Sequence, residues 1–302
     1  MADFSERAPN ASLYFFETAQ LADDTFQVVR FEGTEKISQP FEFEIQLISK
    51  DPDVDFSKVV DKPATFTMMR GDREAPVHGI VTKLSLHGRT ADHVVYRATL
   101  RPRLWRLGLS SRSRIFQEMK VEEILREVFT EDGLPSSAFK FKLEESYSPR
   151  EYCVQYQETD LDFVNRLMEF EGIYYFFDHG GGEETLVVTD DKSQHKKIAS
   201  PSSIGYYTGA EGIDQKEEIF RQFKSQEQVV TGEVKLKDYN YRTADTLRAK
   251  SKDDDDMPGI RYEYGEHYRD TERGERLARV RNEEIEMEHH TVESESDCMG
   301  LR

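Results

Sequence analysis

Between Phe15 and Leu100 the chain is a succession of short β-rich runs, each bounded by Gly, Pro, Asp or Asn. The runs are FQVVRFEG, PFEFEIQLIS, PATFTMMRG, HGIVTKLSLHG and HVVYRATLRP, and apolar and polar residues alternate in several of them. This pattern constrains the fold more than any other feature. A period of two sends successive side chains to opposite faces, so each strand buries one face and wets the other. Several strands at this spacing predict a closed or nearly closed antiparallel barrel or sandwich.

At Pro102 the texture changes. RPRLWRLGLSSRSRIFQ is basic and carries Trp105, the single tryptophan. In KVEEILREVFTEDG, Val121, Ile124, Leu125, Val128 and Phe129 recur at helical spacing and form one apolar stripe. Gly133 and Pro135 stop that helix. Glu151 to Gln157 alternates and reads as a strand. Thr159 is an N-cap candidate with Asp162 as its box partner, Leu161, Val164, Leu167 and Met168 supply an apolar face, and Gly172 supplies the stop. IYYFFDH enters a second strand, GGGEE turns it and TLVVTD returns, which makes a compact α+β unit. From Ser200, EEIFRQFKSQ and QVVTGEVKLKDYNY are strand-like, and SKDDDDMPG reads as a charged exposed loop. TERGERLARVRNEEIEME reads as a polar helix with Leu277, Val280 and Ile285 inward, and HTVESESDCMGLR begins as a strand. The fold class is therefore α+β, mainly antiparallel β, with principal helices near 120–130, 159–171 and 271–288.

The formal net charge is -18, which repels phosphate backbones and speaks against broad nucleic-acid binding. Neither a signal peptide nor a membrane span is legible, since every apolar stretch is broken by charges. Cys153 and Cys298 lie far apart and form no CxxC pair; one disulfide is open to them, and a reduced chain is the favoured reading.

A search for chemistry assigns no catalytic, cofactor-binding or metal-binding residue. The P-loop, the dinucleotide GxGxxG, the GxSxG elbow and HExxH are absent. Gly180–Gly182 reads as a hairpin tip rather than a phosphate cradle. His289 and His290 diverge as neighbours; Glu286 four residues before His290 would make at best a weak surface site. His78, His87 and His93 lack ligand spacing, and Cys153 reads as a small core residue. Sequence pairs of carboxylates such as Glu122–Glu123 carry no information among 59 acidic residues, and Asp253–Asp256 lacks the alternating ligands of a calcium loop. Arg70-Gly71-Asp72 spells an adhesion tripeptide but reads as a strand-end turn. The aromatics of residues 152–177 leave two readings open, a sugar-stacking platform or packing. Neighbouring aromatics in a strand point to opposite faces, so YYFF fills two interfaces, which favours packing.

The run REYCVQYQETDLDFVNRLMEFEGIYYFFDH closely resembles the signature of the VgrG family, the spike proteins of bacterial type VI secretion systems, related to the hub proteins of contractile phage tails. ISQPFEFEIQLIS, DKPATFTM, VHGIVTKLSLHG, YRATLRPRLWRLGLSSRSRIFQ and VEEILREVF fit the family's first part, and TLVVTDD, KDYNY and ERLARVRNEE its middle, in the expected order. The resemblance covers nearly the whole chain. It implies two β-barrels per chain with an α+β insertion between them, three chains forming a pseudo-sixfold ring that matches a hexameric tube. On that scheme residues 1–101 are the first barrel, 102–199 the inserted α+β domain, and 200–302 a partial second barrel interrupted by a loop and a helix. Relatives continue beyond a segment like SDCMGLR into an OB-fold and a β-helical needle, so the chain reads as a fragment of such a hub. The implied role is structural, with no enzyme activity. The implied partners are two further copies, an Hcp-like tube protein, baseplate components, effectors and a PAAR-like needle tip. Assembly in the bacterial cytoplasm and export by the type VI machine follow. A cell-wall hydrolase and a carbohydrate-binding module remain the alternatives.

Overall fold

The computed structural model describes residues 13–70, 73–195, 204–206, 218–252 and 257–299. The chain divides into two compact units, one of residues 1–169, 173–199 and 299–302 and one of residues 170–172 and 200–298.

The first unit opens with a six-stranded antiparallel sheet. Its strands are β1 (Tyr14–Thr18), β2 (Gln27–Lys36), β3 (Gln39–Ser49), β4 (Pro63–Arg70), β5 (Arg73–Arg89) and β6 (Val94–Arg101), in the order β1-β4-β5-β6-β3-β2. Alternation decides its core: in β3, Phe41, Phe43, Ile45 and Leu47 are buried, and they meet Phe16, Phe66 and Leu100. Register shifts at Val81/Lys83 and Leu86/Gly88 bend the long strand β5, as bulges do. The curl brings the two edge strands together, with the Tyr14 and Phe31 rings 5.1 Å apart. Among the described residues no backbone ladder joins β1 to β2, so the sheet is nearly closed rather than closed. Arg70 faces Arg73 across the β4–β5 connection, while Gly71 and Asp72 of the adhesion-like tripeptide lie outside the described residues.

After a 3-10 turn at Arg103–Leu109, the chain builds β7 (Ser111–Phe116), α1 (Val121–Glu131), β8 (Phe139–Lys142), β9 (Cys153–Thr159), α2 (Asp160–Glu171), β10 (Tyr174–Asp178) and β11 (Thr185–Thr189). The stripe expected on α1 is its buried face: Val121, Ile124, Leu125, Val128 and Phe129. The helix closes in a Schellman motif. Gly133 takes φ +81°, its N–H donates to Thr130 O (3.1 Å), and Leu134 N–H donates to Phe129 O (3.0 Å). Gly172 ends α2 in the same conformation at φ +72°, with Ile173 N–H donating to Met168 O at 2.8 Å.

Thr159 caps α2 as expected, its Oγ1 accepting from Asp162 N–H at 3.0 Å. The reciprocal arm differs from a capping box: the Asp162 carboxylate accepts from the Thr159 hydroxyl at 2.6 Å, because an Asp is too short to reach back to the cap's own N–H as a Glu would. Strand β10 pairs with β11 antiparallel, and β11 pairs with β8 parallel.

The second unit contains β12 (Gly205–Tyr206), β13 (Ile219–Glu227), β14 (Glu233–Asn240), β15 (Asp245–Lys252), β16 (Ile260–Tyr264), α3 (Thr271–Glu286) and β17 (His290–Ser296). They form two three-stranded sheets, β12-β13-β17 and β15-β14-β16. Asp270 caps α3 by accepting from Arg273 N–H at 2.8 Å. Leu277 and Ala278 of the helix pack on Val234, Leu236 and Ala249 of the second sheet, with Ile285 at the margin. Gly274 permits that approach: a Cβ there would stand 2.6 Å from the Tyr268 ring. Asp253–Asp256 lie outside the described residues.

Candidate functional site

The aromatics beside α2 divide as strand geometry requires. Tyr175 is fully buried, and Phe177, two residues on, packs against both hydrophobic cores of the first unit. On the opposite face of β10, Tyr174 and Phe176 are half-buried and both stack on His195, at 5.5 and 5.4 Å between centroids. Phe163 lies flat on Phe116 at 5.5 Å in the core. The run is therefore mainly packing. Tyr152, just before β9, and Tyr156, on its outer face, are exceptions and are exposed, while Cys153 and Gln155 are buried.

A cavity of about 520 Å³ opens where the β2–β3 hairpin, the start of β5 and the end of β10 meet, lined by Glu35, Ile37, Phe41, Pro76, Phe176 and His179 among others. Its floor is an imidazole held in one state. The His78 backbone N–H donates to His179 Nδ1 at 3.0 Å, so that nitrogen is unprotonated and the ring proton sits on Nε2. Nε2 stands 4.0 Å from the Glu35 carboxylate. Phe41 meets the His179 ring edge-on at 5.4 Å, and Ser38 N–H donates to Tyr175 O at 2.9 Å. These contacts fasten β10 to the first sheet. The cavity offers two imidazoles, His179 and His195, two carboxylates, Glu35 and Asp178, the amine of Lys36 and apolar walls.

A buried charge cluster lies at the start of α2. Asp160 is fully buried; its Oδ1 accepts from Gln155 (2.6 Å) and Arg114 (3.0 Å), and Arg112 stands 3.3 Å from Oδ2. Arg112 also donates to Asp132 at 2.7 Å. Burial, followed by the neighbouring Asp160 carboxyl, holds the Asp132 carboxyl above the ordinary range, against the pull of Arg112 and Ser110. The cluster ties β7, β9, the end of α1 and the start of α2 together. Its ion pairs all come from within the fold, while Asp160 Oδ2 and Asp132 Oδ2 are buried without a hydrogen-bond partner. Glu184 is likewise buried with Arg103, and burial raises its pKa.

Several of the other polar residues singled out in the sequence have structural partners. His289 Nδ1 lies 2.7 Å from Gln228 O and His290 Nε2 lies 2.8 Å from Ser225 Oγ. His87 bonds Ser85, and Gly180–Gly182 form the β10–β11 turn, with Gly182 at φ +81°. Cys153 is buried and both cysteines are free thiols. Among the described residues no group of three or more His, Cys, Asp or Glu is placed to hold a metal ion, and no helix is long and apolar enough to cross a membrane.

The chain belongs to the phage tail baseplate hub family, whose model matches residues 34–302. It is 35% identical over 289 residues to the type VI secretion system spike protein VgrG1b of Pseudomonas aeruginosa, which covers 93% of this chain and 38% of that protein. The chain thus spans well under half the length of that relative. Among solved structures it resembles the E. coli c3393 protein, a type VI secretion component with structural similarity to the T4 phage tail proteins gp27 and gp5. The TM-score is 0.61 at 25% identity, covering 71% of this chain and 56% of that one. A tail protein of Neisseria meningitidis shares the fold at TM-score 0.59 and 12% identity, over 92% of this chain and 79% of that one.

Proposed function

We propose that the chain supplies the hub of a trimeric spike in a type VI secretion machine, joining the tube to the puncturing needle and helping to deliver effectors. The observation that carries this reading is the match to the baseplate hub family across residues 34–302, reinforced by 35% identity to a type VI spike protein. On this reading residues 1–101 form one tube-like barrel, 102–199 the inserted α+β domain and 200–302 the second barrel region. The chain acts by binding, without catalysis of its own. Its partners are two further copies, a hexameric tube protein, baseplate components, effectors and a needle tip. It assembles in the cytoplasm and leaves through the machine. The cavity at His179 and the cluster at Asp160 then serve rigidity, which a part transmitting force requires.

Two measurements test the proposal. Light scattering of the protein mixed with the tube protein of the same organism should show three copies joined to a tube hexamer. An in-frame deletion of the gene should abolish export of the tube protein while its intracellular level persists. Unchanged export would overturn the reading.

A further inference from the structure

The sheet β15-β14-β16 has two unlike faces. Val234, Leu236 and Ala249 are buried on one, against α3. On the other, register fixes the neighbours. Lys235 stands opposite Lys250 on β15 and Tyr262 on β16; Lys237 stands opposite Arg248 and Tyr264. Tyr262 and Tyr264 are 59% and 63% exposed, and Ile260, on the same face of β16, is 58% exposed. Arg248 and Lys250 are exposed as well. Among the described residues the single carboxylate on this face is Glu233, which lies 2.8 Å from Lys235 and directly opposite Lys252.

Two features of this arrangement call for a partner. Cations directly opposite one another on neighbouring strands repel, and a sheet face that keeps two such pairs side by side gives up stability unless something neutralises them. The chain as a whole carries a net charge of -18, so a cationic aromatic face is the reverse of its average surface. Tyrosines beside the cations add contact area and hydroxyl donors at little cost in side-chain entropy.

We propose that the outer face of β15-β14-β16 is a docking surface for an acidic, extended segment of a partner protein. Outward side chains along β14 and β15 repeat every two residues, about 6.7 Å. An extended polypeptide with a carboxylate at every second position has the same repeat. Its acidic side chains meet Lys237, Arg248 and Lys250, and its backbone and intervening side chains lie on Tyr262 and Tyr264. A polynucleotide would bring charge beyond the site and meet the repulsion of the acidic remainder of the chain, whereas a protein segment can confine its charge to this face.

The probe is a fluorescein-labelled peptide of alternating Glu and Ser, followed by fluorescence anisotropy with the full chain. It should bind at low salt and release as salt rises. The Lys237→Glu/Lys250→Glu double variant should bind it at least about tenfold more weakly, while Arg248→Lys should keep most of the affinity. The double variant should melt no lower than the parent, because it converts two like-charge pairs into opposite ones. Should it fail to fold, Lys237→Gln/Lys250→Gln replaces it with the same expected direction. The proposal is overturned if the peptide does not bind, or if the variants bind it as the parent does. It is equally overturned if oligothymidine binds more tightly than the peptide, or if light scattering shows self-association of the parent that the variants abolish.

Discussion

Replacing Gly172 by Ala should destabilise the second unit through two separable effects. The backbone at Gly172 has φ +72°, a conformation that costs an L-residue roughly 1–2 kcal/mol. A Cβ there would also stand 2.7 and 2.9 Å from the two γ-carbons of Val280, closer than real Cβ contacts come. Rotating Val280 about χ1 leaves at least one branch in the way, so the clash has to be relieved by movement of α3. Such overpacking typically costs about 1–3 kcal/mol. The expected total is about 2–5 kcal/mol. Gly133 provides the control, since its φ is +81° and nothing lies within 4 Å of the added Cβ. Gly133→Ala should therefore show the backbone cost alone, about 1–2 kcal/mol.

The steric part can be isolated by pairing Gly172→Ala with Val280→Ala, which removes the two offending carbons. The double variant should be more stable than the sum of the single effects by about 1–3 kcal/mol. Urea titrations followed by far-UV circular dichroism supply the four free energies. A Gly172→Ala variant that costs no more than Gly133→Ala, or a cycle that closes additively, would refute the reasoning.

Thr159→Ala should cost about 1 kcal/mol in the same titration by leaving Asp162 N–H without its cap, and a loss below a few tenths would show that the cap is idle. Asp132 binds its proton more tightly folded than unfolded, so its contribution favours the fold below the unfolded value near about 3.9 and is lost as pH rises through the raised folded value. The stability of the parent minus that of Asp132→Asn should accordingly fall as pH increases from 4 towards neutrality; a difference that grows over that range would contradict the assignment. Burial pushes the Cys153 thiol up despite Arg150 and Arg166, so a thiol reagent should reach it only as fast as the chain opens, and prompt labelling in the native protein would disprove its burial.

Legibility in the sequence followed the strength of local signals. The stripe of α1 and the glycine stops at Gly133 and Gly172 could be read because five apolar residues or a single required φ each suffice. Strand β8 went unread: FKFK is short, and what makes it a strand is its parallel pairing with β11, from Phe139 beside Leu186 to Lys142 beside Thr189. No local pattern announces a partner that far along the chain. Strands β15 and β16 were missed for a related reason. Their outward residues include Arg248, Lys250, Lys252, Tyr262 and Tyr264, large and mostly charged or aromatic, so the buried–exposed alternation is hard to see. The cluster around Asp160 was also invisible, because Arg112, Arg114, Asp132 and Gln155 come from separate elements and only the fold collects them. The aromatics of residues 152–177 favour packing already in the sequence, since neighbours in a strand face opposite ways, and Tyr175 is buried on one face with Tyr174 and Phe176 against His195 on the other.

The pairing of β13 with β17 has a consequence for how such chains can change over time. Glu227 at the end of β13 lies directly opposite His290 at the start of β17, and Gln228 N–H donates to His289 O at 2.9 Å. Everything between them, the sheet β15-β14-β16 with its helix, therefore leaves and re-enters the ribbon at adjacent points. Geometrically it is an insertion in a hairpin, held a second time where α3 meets Phe170, Glu171 and Gly172. A change in the length of that module therefore leaves the pairing of the ribbon beneath it in register, so long as its strands keep their partners. The cationic tyrosine face thus sits on a module inserted between two paired strands.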